Sequence, residues 1–305
     1  MSARTSPDVP GEPTSGRGLT FHDVPTADGT TLRSWSNGAE GPTVVLCNGL
    51  GTGPWAWPAL LDPDCGVHVV SWFHRGVGGS DRPRDPRRVG IDDIVTDALA
   101  VMDDAGIERA PMLGWSIGVN TMFELAVQHP DRVAGLFAVA GVPGESFGTM
   151  LRLLGLPRWA NATLSTSFAR GVKYAGPALS PVARRLPVGQ RTVGALGRTG
   201  FMFPVADPDA TALAIREFLT TPLDWYMHMA LHTHQHRRVR LSRVRHPAAL
   251  LAGRWDILAG ARDMRTAAER LADATYVELD GTHFLQLEQP DQVHRLLLEF
   301  LDRVA

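Results

Sequence analysis

The sequence predicts an α/β fold: a mostly parallel β-sheet with helices on both faces and a helical cap inserted between two strands. Three observations carry that reading. Continuous apolar runs of five to seven residues recur along the chain, as strands covered on both faces require. Stretches with apolar residues at helical spacing separate them, which predicts parallel strands joined by helical crossovers. Glycine-rich and polar turns collect after the strands, at the edge where open parallel sheets bind ligands.

Taken in order, residues 19–24 and 30–35 flank Ala27-Asp28-Gly29, a turn signal that predicts a β-hairpin. Thr43-Val44-Val45-Leu46-Cys47 is the first buried strand and ends in Asn48-Gly49-Leu50-Gly51. The next spans 67–73 and runs into His74-Arg75-Gly76-Val77-Gly78-Gly79-Ser80-Asp81. A helix is expected over 91–105, then a short strand entering Gly114-Trp115-Ser116-Ile117-Gly118. Behind it Val119, Met122, Phe123, Ala126 and Val127 keep helical spacing. Buried strands follow at 133–140, 248–252 and 275–279, with helices at 261–271 and 290–304. From about 142 to 236 no clean strand exists, and prolines and glycines punctuate short helix-like stretches. The chain therefore divides into a core of 18–142 and 237–305 and a cap of 143–236. Residues 1–17 lack the apolar centre of a signal peptide and are rich in Pro, Gly and Ser, so they read as a disordered leader.

Composition narrows the class. The chain has 305 residues, 44% hydrophobic and 20% charged, which is globular and excludes a wholly disordered or fibrous protein. A net charge of −2 gives no global pull toward nucleic acid. Two cysteines, Cys47 and Cys65, are too few for a disulfide framework and suit a reducing compartment. No run of about 18 uncharged apolar residues is present, so no spanning helix is expected. A cytoplasmic location and no cofactor are the expectations.

The chemistry starts at Ser116. Its G-x-S-x-G setting, between a strand and a helix, describes a sharp turn that lifts a serine hydroxyl clear of the sheet. Side chains at either flank would collide across so tight a turn, hence Gly114 and Gly118. A serine hydroxyl is a weak nucleophile at neutral pH and needs a base and a group that orients the base. His283, in Asp280-Gly281-Thr282-His283-Phe284, follows the last strand and falls at the same sheet edge. Asp256 leaves the strand before it, where a carboxylate can hold the imidazole tautomer. Its rival is Glu145; Asp280 is too near His283 in sequence to reach it easily. Backbone N–H groups of Ile117, at the helix start, and Leu50, between two glycines, are the candidate oxyanion donors.

These four motifs, in the order Asn48–Gly51, Arg75–Asp81, Ser116 and Asp256…His283, resemble the α/β-hydrolase superfamily, in its cap-bearing serine esterase and lipase-like branch. The resemblance covers residues 18–142 and 240–305. It implies the α/β-hydrolase fold, a carboxylic-ester hydrolase and a structural role for Arg75–Asp81. Serine at the elbow argues against the haloalkane dehalogenase and epoxide hydrolase branches. The alternatives are C–C bond hydrolysis, perhydrolysis or acyl transfer on the same residues, or a ligand-binding receptor with a silent triad. The chain departs from the family pattern at three places: Asn48 replaces a histidine, His74 stands at a position of another residue type, and Val119 replaces a frequent glycine.

The cap carries the least expected signal. Between Ser146 and Ala206 there is no Asp or Glu, while Arg152, Arg158, Arg170, Lys173, Arg184, Arg185, Arg191 and Arg198 are present among apolar residues. This is a solvated face, an attractor for an anionic ester or an acidic carrier protein, or a surface that rests peripherally on an anionic membrane. No nucleic-acid motif accompanies the charge. Asp224, His228, His232 and His236 fall four residues apart. Histidines at that spacing can ligate zinc, but the expected reading is a polar helix face and no metal. Trp55, Trp57, Trp115 and Trp255 lie near strand ends and, with Phe284, are candidates for an apolar acyl pocket or for core packing.

Overall fold

Gly29 closes the first turn with φ of +82°, a conformation open to glycine, and Thr26 N–H donates to Thr30 O at 2.9 Å. The hairpin so formed joins β1 (Thr20–Pro25) to β2 (Thr31–Ser36). A computed structural model describes residues 18–144 and 157–305. The expected leader over 1–17, together with Glu145 and Arg152, lies outside the described residues.

Six further strands complete the sheet: β3 (Thr43–Cys47), β4 (His68–Trp72), β5 (Ala110–Trp115), β6 (Val133–Val139), β7 (Ala248–Gly253) and β8 (Ala274–Leu279). Their order is β1-β2-β4-β3-β5-β6-β7-β8. β2 pairs antiparallel with β4, and every pairing from β4 to β8 is parallel. All six positions of β7 are buried, as the unbroken apolar runs demand of strands covered on both faces. Helices α1 (Ile91–Asp104), α2 (Ile117–Gln128), α7 (Ala261–Glu269), α8 (Leu285–Glu288) and α9 (Pro290–Val304) accompany the sheet. Register aligns the strand ends, with Cys47 opposite Gly114, Trp115 opposite Val139 and Gly253 opposite Leu279. Residues following β3, β5, β7 and β8 therefore emerge at one edge.

Arg75 locks the loop after β4. Its buried guanidinium forks onto Asp97 of α1 at 2.6 Å and reaches Asp28 of the hairpin turn at 2.6 Å. Burial pushes the Asp97 carboxyl up, and the Arg75 bonds pull it back. Ser80 Oγ donates to Phe73 O at 2.7 Å and accepts from Arg33 N–H at 2.8 Å. His74 is fully enclosed, and burial pushes its imidazole down to about 4, so it is neutral at physiological pH.

Between β6 and β7 lie α3 (Arg158–Ala183), α4 (Gln190–Leu196), α5 (Pro208–Thr220) and α6 (Leu223–Thr233). α3 crosses α6 at Gly176, where a Cβ would stand 2.4 Å from the Asp224 nitrogen; only glycine permits that approach. Val188, Val193, Met202 and Ala212 form a small core of their own, against which Phe284 packs. α6 docks on the rest of the molecule through polar bonds. Trp225 donates its indole N–H to Arg75 O at 2.9 Å. His228 Nε2 lies 2.6 Å from Pro86 O and therefore carries the proton, leaving Nδ1 to accept from the Lys173 ammonium at 2.9 Å. His236 faces Glu124 at 3.3 Å. The four-residue histidine spacing thus builds a docking seam. No cluster of three metal-ligating side chains occurs among the described residues.

Candidate active site

The turn between β5 and α2 is the strained one the glycines imply. Ser116 has φ of +56° and ψ of −120°, a region L-residues rarely enter. A Cβ at Gly118 would lie 1.8 Å from Cys47 O, and one at Gly114 would lie 2.6 Å from Met122 Sδ. The helix start is thereby pressed onto the end of β3. Val119, the departure from the family pattern noted in the sequence, packs across the turn against Gly141, where a Cβ would lie 2.5 Å from Val119 Cγ2. The missing glycine is supplied from the end of β6.

Ser116 Oγ is 2.9 Å from His283 Nε2, and His283 Nδ1 is 2.8 Å from Asp256 Oδ2. A carboxylate only accepts, so Nδ1 carries the proton and Nε2 is free to receive one from Ser116. The other Asp256 oxygen accepts the N–H groups of Leu258 and Ala259 at 2.7 and 2.8 Å. These bonds fix the carboxylate plane while leaving Oδ2 for the imidazole. His283 and Asp256 are 5% and 3% exposed, so the contact is screened from water. Three of the sequence candidates, from three strand ends, thus meet within hydrogen-bond distance. Asp280 does not join them: it accepts the Trp255 indole N–H at 2.8 Å.

Two carboxylates that the sequence did not flag hold the loops around this chain. Glu288 is buried in α8. It accepts the Thr282 N–H and Phe203 N–H, each at 2.8 Å, and the Thr282 hydroxyl. The residue before His283 is thereby tied both to its own helix and to the insert. Trp115 adds a second restraint, donating its indole N–H to His283 O at 3.0 Å.

On the opposite side, the loop after β3 is organised by Asn48. Its Oδ1 accepts Gly49 N–H at 2.9 Å and the Trp57 indole at 3.1 Å, and its Nδ2 donates to Gly53 O at 2.9 Å. Asparagine thus does locally what the turn needs in place of histidine. Gly53 N–H in turn donates to Glu217 of α5 at 3.0 Å. Burial pushes the Glu217 carboxyl up to about 8. Leu50 lies inside this loop, and Ile117 opens α2, whose first N–H groups have no intrahelical acceptor.

The aromatic candidates separate. Trp115 is buried, with its ring 5.7 Å from His283 and 6.2 Å from Phe284. Phe284 in turn meets Phe201 of the insert at 5.2 Å. Trp57 is an anchor of the Asn48 loop, edge-on to Trp115 at 6.5 Å. Trp55 is half-buried in the short helical turn Pro54–Ala56. Trp255 is 47% exposed, and its indole N–H is engaged by Asp280 at the surface. A cleft of about 630 Å³ between α1, α2 and residues 232–243 does not touch Ser116, so volume alone does not mark the chemistry.

Comparison with known proteins places this geometry. A sequence profile for the alpha/beta hydrolase fold matches residues 42–173. Epoxide hydrolase A of Mycobacterium tuberculosis is 29% identical over 310 residues, covering 90% of this chain and 95% of that protein. Among solved structures, the enol-lactonase of Burkholderia xenovorans LB400 superposes with a TM-score of 0.67 at 23% identity, covering 93% of this chain and all (100%) of the other. An esterase from Exiguobacterium antarcticum superposes with a TM-score of 0.69 at 14% identity over the same shares, 93% and 100%. With its strand order and its Ser116 turn, the chain has the α/β-hydrolase fold that these likenesses share.

Proposed function

We propose that the protein hydrolyses carboxylic esters through an acyl-enzyme on Ser116. The observation that carries this reading is the unbroken hydrogen-bonded path from Ser116 Oγ through His283 to Asp256, at 2.9 and 2.8 Å. Ser116 attacks the ester carbonyl while His283 Nε2 takes its proton, and Asp256 stabilises the imidazolium that forms. The carbonyl oxygen becomes an oxyanion, for which the Leu50 and Ile117 N–H groups are the donors. His283 then protonates the departing alkoxide. Water attacks the acyl-enzyme under the same base, releasing the acid and restoring Ser116.

The likeness to an epoxide hydrolase over most of the chain favours a second reading, an epoxide substrate. The elbow residue favours the ester. Serine opening an epoxide would form an alkyl ether, which has no carbonyl for water to attack, and the enzyme would stop after one turnover. An ester leaves an acyl-serine that water can resolve. C–C bond hydrolysis and acyl transfer pass through the same acyl-serine, so the substrate pocket selects among these reactions.

A fluorophosphonate probe tests the mechanism. Labelling of the folded protein that is lost in Ser116→Ala is expected, with kcat on p-nitrophenyl esters falling about 10⁴-fold or more. Turnover of an epoxide by the wild type, with no labelling, would replace the ester reading.

A further inference from the structure

The outer face of α3 is apolar where a helix in contact with water should be polar. Leu186 lies in the turn beyond the helix end, and Leu164, Phe168, Gly171, Ala175, Leu179 and Val182 follow one another at steps of four and three residues. That spacing keeps them on one side of the helix. The large side chains are 50%, 67%, 45%, 61% and 54% exposed for Leu164, Phe168, Leu179, Val182 and Leu186. At about 1.5 Å per residue the helical stripe from Leu164 to Val182 is about 27 Å long. Trp159 and Tyr174, 74% and 85% exposed, flank it. The opposite side of α3 is engaged with α6 through Gly176, Lys173 and Ser180.

Charge says what can cover this face. No Asp or Glu occurs from residue 146 to 206. Arg170, Arg185, Arg191 and Arg198 are exposed and form no ion pair among the described residues. A second copy docked through a twofold axis would bring this patch against itself, like charge to like charge. An anionic partner is favoured instead. An exposed apolar stripe of this length suits a surface that conforms to it. Tryptophan and tyrosine beside a basic flank are the residue types that settle at lipid headgroups. No described helix is long and apolar enough to cross a membrane, so α3 would lie in the plane of the interface.

We infer that α3 is a peripheral docking face for an anionic lipid bilayer, with the Leu164–Val182 stripe entering the acyl boundary and the arginines meeting the headgroups. Co-sedimentation with vesicles tests this without reference to catalysis, because Ser116→Ala protein can be used throughout. It is expected to bind phosphatidylglycerol–phosphatidylcholine vesicles and to bind vesicles of phosphatidylcholine alone about tenfold more weakly or less. Phe168→Ser with Leu179→Ser should reduce binding about tenfold or more, and Arg170→Gln with Arg185→Gln about fivefold for each arginine removed. All four positions are exposed, so hydrolysis of a water-soluble ester by the same variants in an active background should not change. No binding to either vesicle, or equal binding by wild type and variants, overturns the inference. So does a concentration-dependent dimer that Phe168→Ser with Leu179→Ser dissolves while vesicle binding is absent.

Discussion

The two loops that flank Ser116 are each held by a glutamate, and they are held differently. Thr282, beside the proposed base, is fixed by Glu288 through its N–H and its hydroxyl, and the same carboxylate takes Phe203 N–H from the insert. Glu288 closes α8, two residues before α9 begins, and belongs to the core chain itself. The loop bearing Leu50, organised by Asn48, receives a single bond from a glutamate, Gly53 N–H to Glu217. That carboxylate belongs to α5 in the insert, 164 residues away. The loop beside the proposed base thus takes its glutamate from the sheet's own C-terminal neighbours, whereas the loop bearing the proposed oxyanion donor takes its glutamate from the insert. The difference teaches that movement of the insert would disturb charge stabilisation before it disturbed proton transfer.

Removing each glutamate should expose that asymmetry. Glu288→Ala leaves the Thr282 and Phe203 donors without their acceptor in a buried setting, and a loss of about 3 kcal/mol in urea unfolding is expected, together with activity. Glu217→Ala should leave stability closer to wild type and lower kcat about tenfold to a hundredfold with little change in KM, because a loosened donor weakens the transition state more than substrate binding. Glu217→Gln keeps an acceptor for Gly53 and should recover most of the rate. Equal kcat for Glu217→Ala and wild type would break the comparison.

Acidity offers a further test at Glu217. Burial keeps the Glu217 proton in the folded protein up to about 8, whereas the unfolded chain releases it near 4.5. The folded state therefore binds more protons across that window, and the contribution of Glu217 to stability is present below the lower value and lost as pH rises to the upper one. Urea midpoints measured across this range should fall with pH more steeply in the wild type than in Glu217→Gln; parallel curves would show that the carboxyl titrates normally. The smallest effect is expected at Trp255. Its substitution by phenylalanine should leave kcat/KM within about twofold, whereas Trp115→Phe, which removes the bond to His283 O, should lower it about tenfold.

Much of this site was legible because its parts announce themselves locally. Gly114 and Gly118 mark the turn at Ser116, and Asp256 and His283 each follow a recognisable buried strand. The sheet, its hairpin and its crossovers were readable from apolar runs for the same reason: a strand covered on both faces has little freedom of composition. Glu288 and Glu217 were not readable. A glutamate on a helix looks the same whether it faces water or a backbone N–H contributed by another element, and no periodicity reports which. The exposure of Trp255 was not readable for a related reason. Position after a strand fixes the sheet edge but not the side of the loop on which a ring comes to rest. Val119 shows the same limit from the other direction, since its compensation by Gly141 depends on β6 lying beside β5.

The backbone at Ser116 carries a further consequence, for anyone who would improve this protein. A residue with a side chain is kept at φ of +56° and ψ of −120°, a conformation that costs about 1–3 kcal/mol and that glycine adopts freely. Libraries sorted by heat resistance alone would therefore reward the loss of the hydroxyl on which the proposed chemistry depends. Stability and turnover are opposed at this one position, so a selection that does not read out hydrolysis will enrich well-folded protein with nothing at the elbow to acylate.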